Sequence, residues 1–406
     1  MKRTKLSDIA SLTVGFVGTM AQHYVDSGIP FLRSLNIKPF YIDNTDLKYI
    51  SASFSEELSK SILHENDIVI VRTGVPGTCC VVPKEYDGCN CADVVIVHPD
   101  FSKVNPYYLA AYINIWGQKQ ILNNKVGAIQ QHFNVHTAEE MLVFLPDKET
   151  QDHVANLICS VNEKIQVNER LCAELEAMAK TLYDYWFVQF DFPDENGKPY
   201  RTSGGAMEWC QELGREVPKG WNVGILSDIA NITMGQSPAG ESYNENGEGM
   251  MFFQGSTDFG SRFPMPRVYT TAPTRFAKTG DILMSVRAPV GALNIAMEDC
   301  CIGRGLAALN SKIGSQIYLI QLLNNFRAVF DSMNGNGTTF GSINKDTLHA
   351  LKIIIPPNNV LQQFEMIITP IEKQIRECEK ENQELSTLRD WLLPMMMNGQ
   401  ARIKHD

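Results

Sequence analysis

An apolar heptad repeat that occurs twice is the strongest constraint on this chain. In residues 151–186 and again in 361–392, apolar side chains recur at alternating steps of four and three positions. This spacing is typical of a helix that buries a narrow stripe against a second helix. At about 1.5 Å per residue, the first stretch would extend for roughly 54 Å. The predicted seam, polar members included, is Val154, Ile158, Val161, Ile165, Asn168, Leu175 and Leu182 in the first helix and Phe364, Ile368, Ile371, Ile375, Asn382, Leu385 and Leu392 in the second.

Two matched seams predict that the two helices pack on each other. Asn168 and Asn382 interrupt the apolar pattern, one in each helix. A buried asparagine at a seam position lowers stability but fixes the register of the pair. Charged residues such as Glu163, Lys164 and Glu174 lie off the first seam, as they do in coiled coils. The alternative is two long helices of an unrelated helical domain, and the heptad pattern alone leaves that alternative open.

The whole chain is an internal repeat with an offset of about 210 residues. The sequence LSDIA at 6–10 recurs identically at 226–230, and NDIVIVR at 66–72 corresponds to GDILMSVR at 280–287. Each half contains a mixed, β-rich globular unit, then a proline, then a seam helix. The predicted fold class is therefore α+β, with two globular units in a pseudo-two-fold repeat separated by an antiparallel coiled coil of two long helices.

These patterns divide the chain into consecutive segments. The predicted segments are a first globular unit (1–147), a central helix (148–190), a linker (191–220), a second globular unit (221–357), a C-terminal helix (358–398) and a short tail (399–406). If the helices are antiparallel, the two similar units are expected at opposite ends of the rod and in opposite orientation. The two strands of DNA are likewise related by a dyad, so this layout suits contact with two separated stretches of double-stranded DNA.

Composition and charge limit the classes of protein that fit. The 406 residues are 44% hydrophobic and 20% charged, which is enough for two or three domains with apolar cores. The formal net charge of -10 disfavours a protein that binds nucleic acid without a partner. No window approaches a membrane span, and the ten cysteines are scattered. The chain is therefore predicted to be cytoplasmic, with reduced thiols and no membrane contact.

Motifs of the common DNA-modifying and nucleotide-binding enzymes do not match this chain. A DNA amino-methyltransferase needs an Asn/Asp-Pro-Pro-aromatic loop, whereas the Pro-Pro pair at 356–357 has other neighbours. The GRGLAA run at 303–308 matches a dinucleotide fingerprint but lacks the acidic residue about 20 positions later. Histidine and cysteine pairs, namely His132 with His136, Cys89 with Cys91 and Cys300 with Cys301, lack the arrangement of a zinc site. No catalytic residue and no metal site is predicted.

Several motifs resemble parts of type I restriction–modification specificity (S) subunits. The runs PDKETQ at 146–151 and PPNNVLQQ at 356–363 look like the entry to the conserved helices of that family. CIGRGLAA at 301–308 looks like a segment of their target recognition domains, and LLPMMMNGQ at 392–400 is similar to their C-terminal signature. The resemblance covers essentially the whole chain. It departs in the first repeat, where CADVV at 91–95 replaces the Gly-Arg-Gly run.

The resemblance implies a DNA sequence-specificity subunit with no catalysis of its own. Each globular unit would be a target recognition domain for one half of an asymmetric, bipartite target in double-stranded DNA, and the coiled coil would set the spacer. The implied partners are two modification (methyltransferase) subunits and, in a complete enzyme, restriction (motor nuclease) subunits. The implied cofactor, S-adenosylmethionine, would be held by the modification subunits, with no cofactor on this chain. Two alternatives stay open: a coiled-coil scaffold without DNA readout and, less favoured, a stand-alone DNA methyltransferase.

Base recognition favours arginine, lysine, asparagine, glutamine and small hydroxyl side chains in loops. Candidates of this kind are Arg33, Arg72, Thr73, Lys125, Gln130, Gln131, His132 and Asn134 in the first unit, and Gln236, Ser237, Gln254, Ser256, Arg287, Arg304, Thr338, Thr339 and Asn344 in the second. Candidates for phosphate contacts are Lys38, Arg262, Arg267, Arg275 and Lys278. Arg33 and Gln254 align in the repeat, and arginine suits guanine while glutamine suits adenine. The two half-sites are therefore expected to differ, although any single candidate is equally explained as a solvated loop residue.

Overall fold

The structure is a computed structural model that describes residues 2–117, 120, 133–335, 341–398 and 400. Its internal contacts divide the chain into two compact units. Unit 1 consists of Met1–Arg170 together with Cys378–Asp406, and unit 2 is Leu171–Glu377. Each unit is α+β and contains part of both long helices, so the units do not follow the predicted linear segments one by one.

In unit 1 short strands precede the first long helix. The strands are β1 (Lys2–Lys5), β2 (Ala10–Val14), β3 (Tyr24–Val25), β4 (Ile29–Leu32), β5 (Ile37–Lys38), β6 (Tyr41–Ile42), β7 (Lys48–Ile50), β8 (Ile68–Val71), β9 (Cys79–Val81), β10 (Asn90–Cys91), β11 (Val94–Pro99) and β12 (Leu142–Leu145). The short helices are α1 (Ala52–Glu57), α2 (Pro106–Tyr112) and α3 (Val135–Glu139). The long helix α4 (Lys148–Tyr183) begins in unit 1 and ends in unit 2.

Unit 2 contains the same kinds of secondary-structure element as unit 1. Its strands are β13 (Met207–Cys210), β14 (Arg215–Pro218), β15 (Asn222–Ile225), β16 (Ala230–Met234), β17 (Tyr243–Asn244), β18 (Met250–Phe253), β19 (Tyr269–Thr270), β20 (Phe276–Ala277), β21 (Ile282–Ser285), β22 (Leu293–Ile295), β23 (Cys300–Ile302), β24 (Leu306–Ser311) and β25 (Lys352–Ile355). Its short helices are α5 (Leu226–Ile229), α6 (Gln316–Asn325), α7 (Arg327–Gly335) and α8 (Lys345–His349). The second long helix, α9 (Asn358–Met397), begins in unit 2 and ends in unit 1.

Both units contain corresponding sheets with the strands in the same order. One antiparallel sheet has the order β2-β11-β8-β9 in unit 1 and β16-β24-β21-β22 in unit 2. A second sheet in each unit includes a parallel pair, β4 with β10 and β18 with β23. A separate antiparallel pair joins the first strand of each half to the strand before its long helix, β1 to β12 and β15 to β25. This correspondence confirms the internal repeat that the sequence predicts.

The strands β8 and β21 are apolar at every position except Ser285, because both faces of the sheet are covered. In β8, Ile68 and Ile70 pack in one buried cluster while Val69 and Val71 pack in another. In β21, Ile282 and Met284 face one cluster and Leu283 faces the other. Successive side chains of a strand point to opposite faces. An uninterrupted apolar run therefore identifies a strand with a buried layer on each side.

Within unit 1, the two long helices form an antiparallel pair. The Asn168 side chain donates hydrogen bonds to Asn382 Oδ1 over 2.9 Å and to Glu381 over 2.8 Å. About two turns further along, Arg389 donates to Asn162 Oδ1 over 2.9 Å. Residue numbers rise in one helix as they fall in the other, which defines the antiparallel direction. The two buried seam asparagines therefore satisfy each other, which confirms the predicted pairing.

Within unit 2, α9 packs through apolar side chains against α4 and against the π-helical turn Asp184–Val188 that continues it. The ring centroids of Trp186 and Phe364 lie 5.7 Å apart, and those of Phe187 and Phe364 lie 5.0 Å apart. Cys172 Sγ lies 3.8 Å from the Ile375 carbonyl oxygen, which again indicates antiparallel packing. All the predicted seam residues of both helices are buried or half-buried.

The predicted linker, residues 191–220, is a folded part of unit 2. Strands β13 and β14 form an antiparallel hairpin, and Val217 is buried in the main core cluster of the unit. The rings of Phe192 and Trp221 stack with centroids 5.0 Å apart. Asp191 accepts hydrogen bonds from the backbone N–H and the hydroxyl of Thr202 over 2.8 and 2.6 Å. This segment is therefore folded and not an extended connection.

Among the described residues, no helix combines the length and the apolar character that crossing a membrane requires.

Candidate nucleic-acid interface

In unit 1, four loops meet at one edge of the sheets through backbone hydrogen bonds. The Phe16 N–H donates to the Cys91 carbonyl over 2.8 Å, and the Asp93 N–H donates to the Phe16 carbonyl over 3.1 Å. The Asp93 carbonyl accepts from the Arg72 N–H over 3.4 Å and from the Ser34 hydroxyl over 2.8 Å. We call these loops (residues 15–18, 33–36, 72–77 and 91–93) loop cluster 1. Asp93 lies at its centre.

In unit 2, the corresponding loops meet in the same way. The Gln236 N–H donates to the Ile302 carbonyl over 3.0 Å, and the Gly305 N–H donates to the Gln254 carbonyl over 3.1 Å. The Gly305 carbonyl accepts from the Val286 N–H over 2.9 Å, as the Asp93 carbonyl does from Arg72 in unit 1. We call these loops (residues 235–238, 254–256, 286–291 and 303–305) loop cluster 2. The repeat therefore presents two equivalent loop surfaces.

The loops of loop cluster 2 approach one another so closely that several positions, including both glycines of the Gly-Arg-Gly run, have no room for a side chain. A Cβ atom at Gly235 would lie 2.1 Å from the Gly303 carbonyl oxygen, and one at Gly305 would lie 2.6 Å from the Gln254 carbonyl oxygen. Neither distance is sterically possible, so these positions require glycine. A Cβ atom at Gly303 would likewise lie 2.9 Å from Gln254 Cα. Arg304 lies between Gly303 and Gly305 with its side chain exposed, and its N–H donates to the Ser237 hydroxyl over 3.3 Å. The backbone therefore fixes where the Arg304 side chain begins.

Most of the predicted readers that the structure describes lie in or beside these loop clusters. Ser237 donates to Gln254 Oε1 over 3.0 Å, so two candidates form one polar pair in cluster 2. The candidates with exposed side chains in or beside the clusters are Thr73, Asn134, Gln236, Gln254, Arg287, Arg304 and Asn344, while Arg72, Ser237 and Ser256 are half-buried. Six candidates, Lys125, Gln130, Gln131, His132, Thr338 and Thr339, lie outside the described residues. The structure thus brings together side chains that are distant in the sequence.

Some of these candidates already have structural partners. The Arg33 guanidinium lies 3.0 Å from Asp46 Oδ2 and over the Tyr24 ring, and the side chain is only 19% exposed. Arg72 Nε donates to the Phe133 carbonyl over 3.1 Å. Asn134 and Asn344 cap the corresponding short helices α3 and α8, with accepting distances of 2.9 and 2.8 Å. In the aligned pair, the Gln254 side chain is exposed to solvent, whereas the Arg33 side chain is largely buried.

The predicted phosphate contacts divide into exposed and buried residues. Lys38, Arg267 and Lys278 are paired with Asp43, Asp258 and Asp299 at 3.8, 3.0 and 2.8 Å. Arg275 is exposed beside loop cluster 2, since the neighbouring Thr274 hydroxyl donates to the Gln236 carbonyl over 2.6 Å.

A phosphate-contacting role for Arg262 does not fit its position. Its side chain is only 10% exposed and forms ion pairs with Glu176 on α4, at 2.9 Å, and with Glu372 on α9. Burial disfavours the charge of Arg262, but the two carboxylates outweigh that effect and raise its pKa. The basic residue that sequence analysis assigned to DNA therefore connects a loop of unit 2 to both helices.

The exposed residues of loop cluster 1 outside the predicted set are Val17, Leu35, Val75 and Asp93, together with Gly18 and Gly74. Asp93 stands where unit 2 has Gly305, and it adopts a left-handed backbone conformation with φ of 56°. Unit 1 has no counterpart of Arg304 in this turn. The signal in the sequence was the departure from the Gly-Arg-Gly run, which indicated a difference between the units but not which residues replaced Arg304.

One group of potential metal ligands occurs among the described residues, His64, Asp67 and His98. Asp67 accepts from the His64 N–H over 2.8 Å, and its other oxygen lies 2.7 Å from His98 Nδ1. In unit 2 the equivalent Asp281 accepts from a backbone N–H over 2.8 Å and from Asn310 Nδ2 over 2.9 Å. Asparagine fills the place of His98 with the same hydrogen bond. The arrangement is therefore explained as a turn that both units share.

This turn predicts that the stability of the protein depends on pH through His98. The hydrogen bond to Asp67 raises the pKa of His98 above its ordinary value of about 6.5, against the opposing effect of burial. Because the pKa of His98 is higher in the folded state, protonated His98 stabilises the fold. This stabilisation is complete below about pH 6.5 and is lost as the pH rises through the folded-state pKa. We expect His98→Asn to remove this part of the pH dependence. Urea unfolding of the variant and the wild type across pH 5.5–8.5 would measure it.

The matched control is the reciprocal change in unit 2. Asn310→His places a histidine beside Asp281 and should introduce a second pH dependence of the same sign. Identical pH profiles for the wild type and His98→Asn would show that the Asp67–His98 pair contributes nothing.

The chain is similar to known type I restriction proteins. Residues 218–387 match the family model described as type I restriction modification DNA specificity domain. The chain is 29% identical over 404 residues to a Methanocaldococcus jannaschii protein named a type I restriction enzyme MjaX specificity subunit, covering 95% of this chain and 90% of the relative. It is 21% identical to the type I restriction enzyme HindI specificity subunit of Haemophilus influenzae, covering 70% of this chain and 73% of that protein.

A solved structure shares the fold. The S subunit of a type I restriction–modification system from M. genitalium matches 97% of this chain and 95% of its own, with a TM-score of 0.58 and 14% sequence identity. At that identity the likeness concerns the fold alone.

Proposed function

We propose that this chain, which belongs to the family of type I restriction–modification specificity subunits, reads an asymmetric bipartite target in double-stranded DNA. Loop cluster 1 contacts one half of the target and loop cluster 2 contacts the other. The observation that carries this proposal is that equivalent backbone frameworks present different exposed side chains, such as Asp93 in one unit and Arg304 in the other. The same backbone framework in both units fits the same DNA groove geometry, and different side chains on it recognise different bases.

In this proposal the chain contributes recognition and no chemistry. Methyl transfer and its cofactor, S-adenosylmethionine, belong to two modification subunits that act on DNA in the cytoplasm, and a complete enzyme adds restriction subunits. The long helices α4 and α9 set the spacer between the half-sites and bind the modification subunits. Together these helices contain thirteen acidic and eight basic residues. That balance favours a protein partner over the DNA backbone as their ligand.

The outer faces of the helices offer matched surfaces for these partners. On α9 in unit 1, Trp391 is 57% exposed and, with Leu388 and Thr387, lines a shallow apolar surface. In the repeat Trp391 aligns with Tyr185, which is exposed in unit 2. Exposed tryptophan and tyrosine side chains are enriched among the residues that dominate binding energy at interfaces. One such surface in each unit supports a stoichiometry of two modification subunits.

We expect Trp391→Ala to reduce the affinity for one modification subunit by at least about thirtyfold, since truncating a dominant interface residue removes about 2 kcal/mol or more. Native mass spectrometry of a titration with the modification subunit would show the assembly with two copies replaced by one with a single copy. The matched control is Trp209→Ala, which removes another exposed tryptophan, on the β13–β14 hairpin. An unchanged assembly for Trp391→Ala would exclude this surface as a docking site.

Methylation-aware sequencing tests the proposed function as a whole. The chain and its modification subunit are produced together in a methylation-free host, and the modified positions in the genome are mapped. A split, asymmetric motif that appears only when both proteins are present is the expected result. Stable assembly with the modification subunit but no sequence motif would instead favour a scaffold without DNA readout.

A further inference from the structure

We infer that Asp93 determines the base at one position of the first half-site, by accepting a hydrogen bond from the amino group of a cytosine. This inference rests on the proposed function and names one residue that carries it out. Its basis is the position, conformation and free carboxylate of Asp93 in loop cluster 1.

The backbone of Asp93 is held by all the neighbouring loops. Its N–H donates to Phe16, and its carbonyl accepts from Arg72 and from the Ser34 hydroxyl. The residue has a φ of 56°, a left-handed conformation that aspartate tolerates better than most side chains but that glycine adopts with less strain. Aspartate adopts this conformation in ordinary turns, so the hydrogen bonds to the surrounding loops are what hold the residue in place. The direction in which the carboxylate leaves the backbone is therefore fixed.

The Asp93 carboxylate is exposed, and no donor among the described residues is paired with it. Its neighbour Asp46 differs, because that carboxylate is paired with Arg33 at 3.0 Å and with Lys48 at 2.6 Å. Asp46 therefore has basic partners, whereas the Asp93 carboxylate has none among the described residues and is available to a ligand. An unpaired carboxylate that faces DNA repels phosphate groups, so it is expected only where it meets a hydrogen-bond donor.

The base edges of the major groove offer few such donors. Cytosine presents its N4 amino group, and adenine presents its N6 amino group next to the N7 acceptor. A carboxylate has acceptors only, so it is repelled by the adenine N7 atom and by both acceptors of guanine. Cytosine is the base that remains compatible.

The corresponding position of loop cluster 2 carries the opposite chemistry. Gly305 has no side chain to offer, and the additional residue Arg304 supplies donors that suit guanine. The two units therefore use the same turn to present an acceptor in one half-site and a donor in the other.

Two substitutions of Asp93 separate recognition from folding. Asp93→Gly removes the carboxylate and relieves the left-handed backbone, so the fold is retained. Asp93→Asn keeps the size and the conformational preference but adds a donor, which suits adenine N7 and N6 together. Each variant is produced with the modification subunit, and the methylated motif is read by sequencing.

The expected wild-type motif has a cytosine at one position of the first half-site, with other bases disfavoured roughly ten- to hundredfold. Asp93→Gly should accept all four bases at that position, and Asp93→Asn should shift the preference to adenine. The second half-site should not change in either variant. Arg304→Ala is the reciprocal control and should relax only the second half-site.

Two results would overturn the inference while leaving the proposed function intact. One is a bipartite wild-type motif whose first half-site both Asp93 variants reproduce. The other is a uniform loss of methylation in Asp93→Gly with the cytosine retained, which would indicate a purely structural role. A wild-type complex that methylates DNA without any bipartite motif would overturn the proposed function and this inference together.

Discussion

Arg262→Met is expected to lower the free energy of unfolding of unit 2 by about 3 kcal/mol, the order of magnitude for breaking a buried ion pair. The change leaves Glu372 in a largely buried position without its cation, and it removes the connection from a loop to both long helices. Methionine keeps the aliphatic volume, so the effect reports the lost charge rather than a cavity. Urea unfolding followed by circular dichroism would measure it.

Arg201→Met is the control for this prediction. Arg201 also lies in unit 2 and is paired with Glu216 at 3.3 Å, but the two side chains are 49% and 54% exposed. Exposed ion pairs contribute about 0–1 kcal/mol, so the control should unfold almost as the wild type does. Equal effects of the two substitutions would show that the Arg262 ion pairs do not stabilise the unit.

Arg304→Ala is expected to relax one position of the second half-site, with a loss of about 1–3 kcal/mol of discrimination in favour of guanine. The glycines on either side and the backbone hydrogen bonds of loop cluster 2 do not involve the arginine side chain, so the fold should persist. The methylated motif of the variant, produced with the modification subunit, is the measurement.

Arg275→Ala separates base recognition from phosphate binding. A lost phosphate contact weakens all sequences about equally and reduces the dependence of binding on salt by about one ion. We therefore expect Arg275→Ala to keep the motif and lower its occupancy. If Arg304→Ala behaves in the same way, Arg304 binds phosphate and does not read a base.

The elements of this fold that local sequence patterns determine could be predicted. The heptad positions of α4 and α9 predicted their pairing, because burial of a stripe depends on spacing along one helix. The partnership of Asn168 with Asn382 followed from their shared position in the two seams. The repeated strands could be found because each half contains the same apolar runs.

The arrangement of side chains in the site depends on distant contacts and could be predicted only in part. Arg33 and Gln254 align in the repeat, yet Arg33 is paired with Asp46 across a loop while Gln254 is exposed. Arg262 is a basic residue in a loop, as many DNA-contacting residues are. Only the packing of that loop against two helices shows that its side chain is buried in ion pairs. The backbone of Asp93 contacts three loops, which the pairing of β10 with β4 and of β11 with β2 and β8 brings together.

The discontinuity of unit 1 has a consequence for synthesis of the protein on the ribosome. Unit 2, Leu171–Glu377, is one continuous segment, whereas unit 1 combines Met1–Arg170 with Cys378–Asp406. The seam of α4 in unit 1, including Asn168, therefore has no partner until the end of α9 has been translated. At roughly 5–20 residues per second, this interval is about 10–40 s. Throughout that time the apolar stripe of α4 in unit 1 is unpaired, and transiently exposed apolar surface of this kind is prone to aggregation.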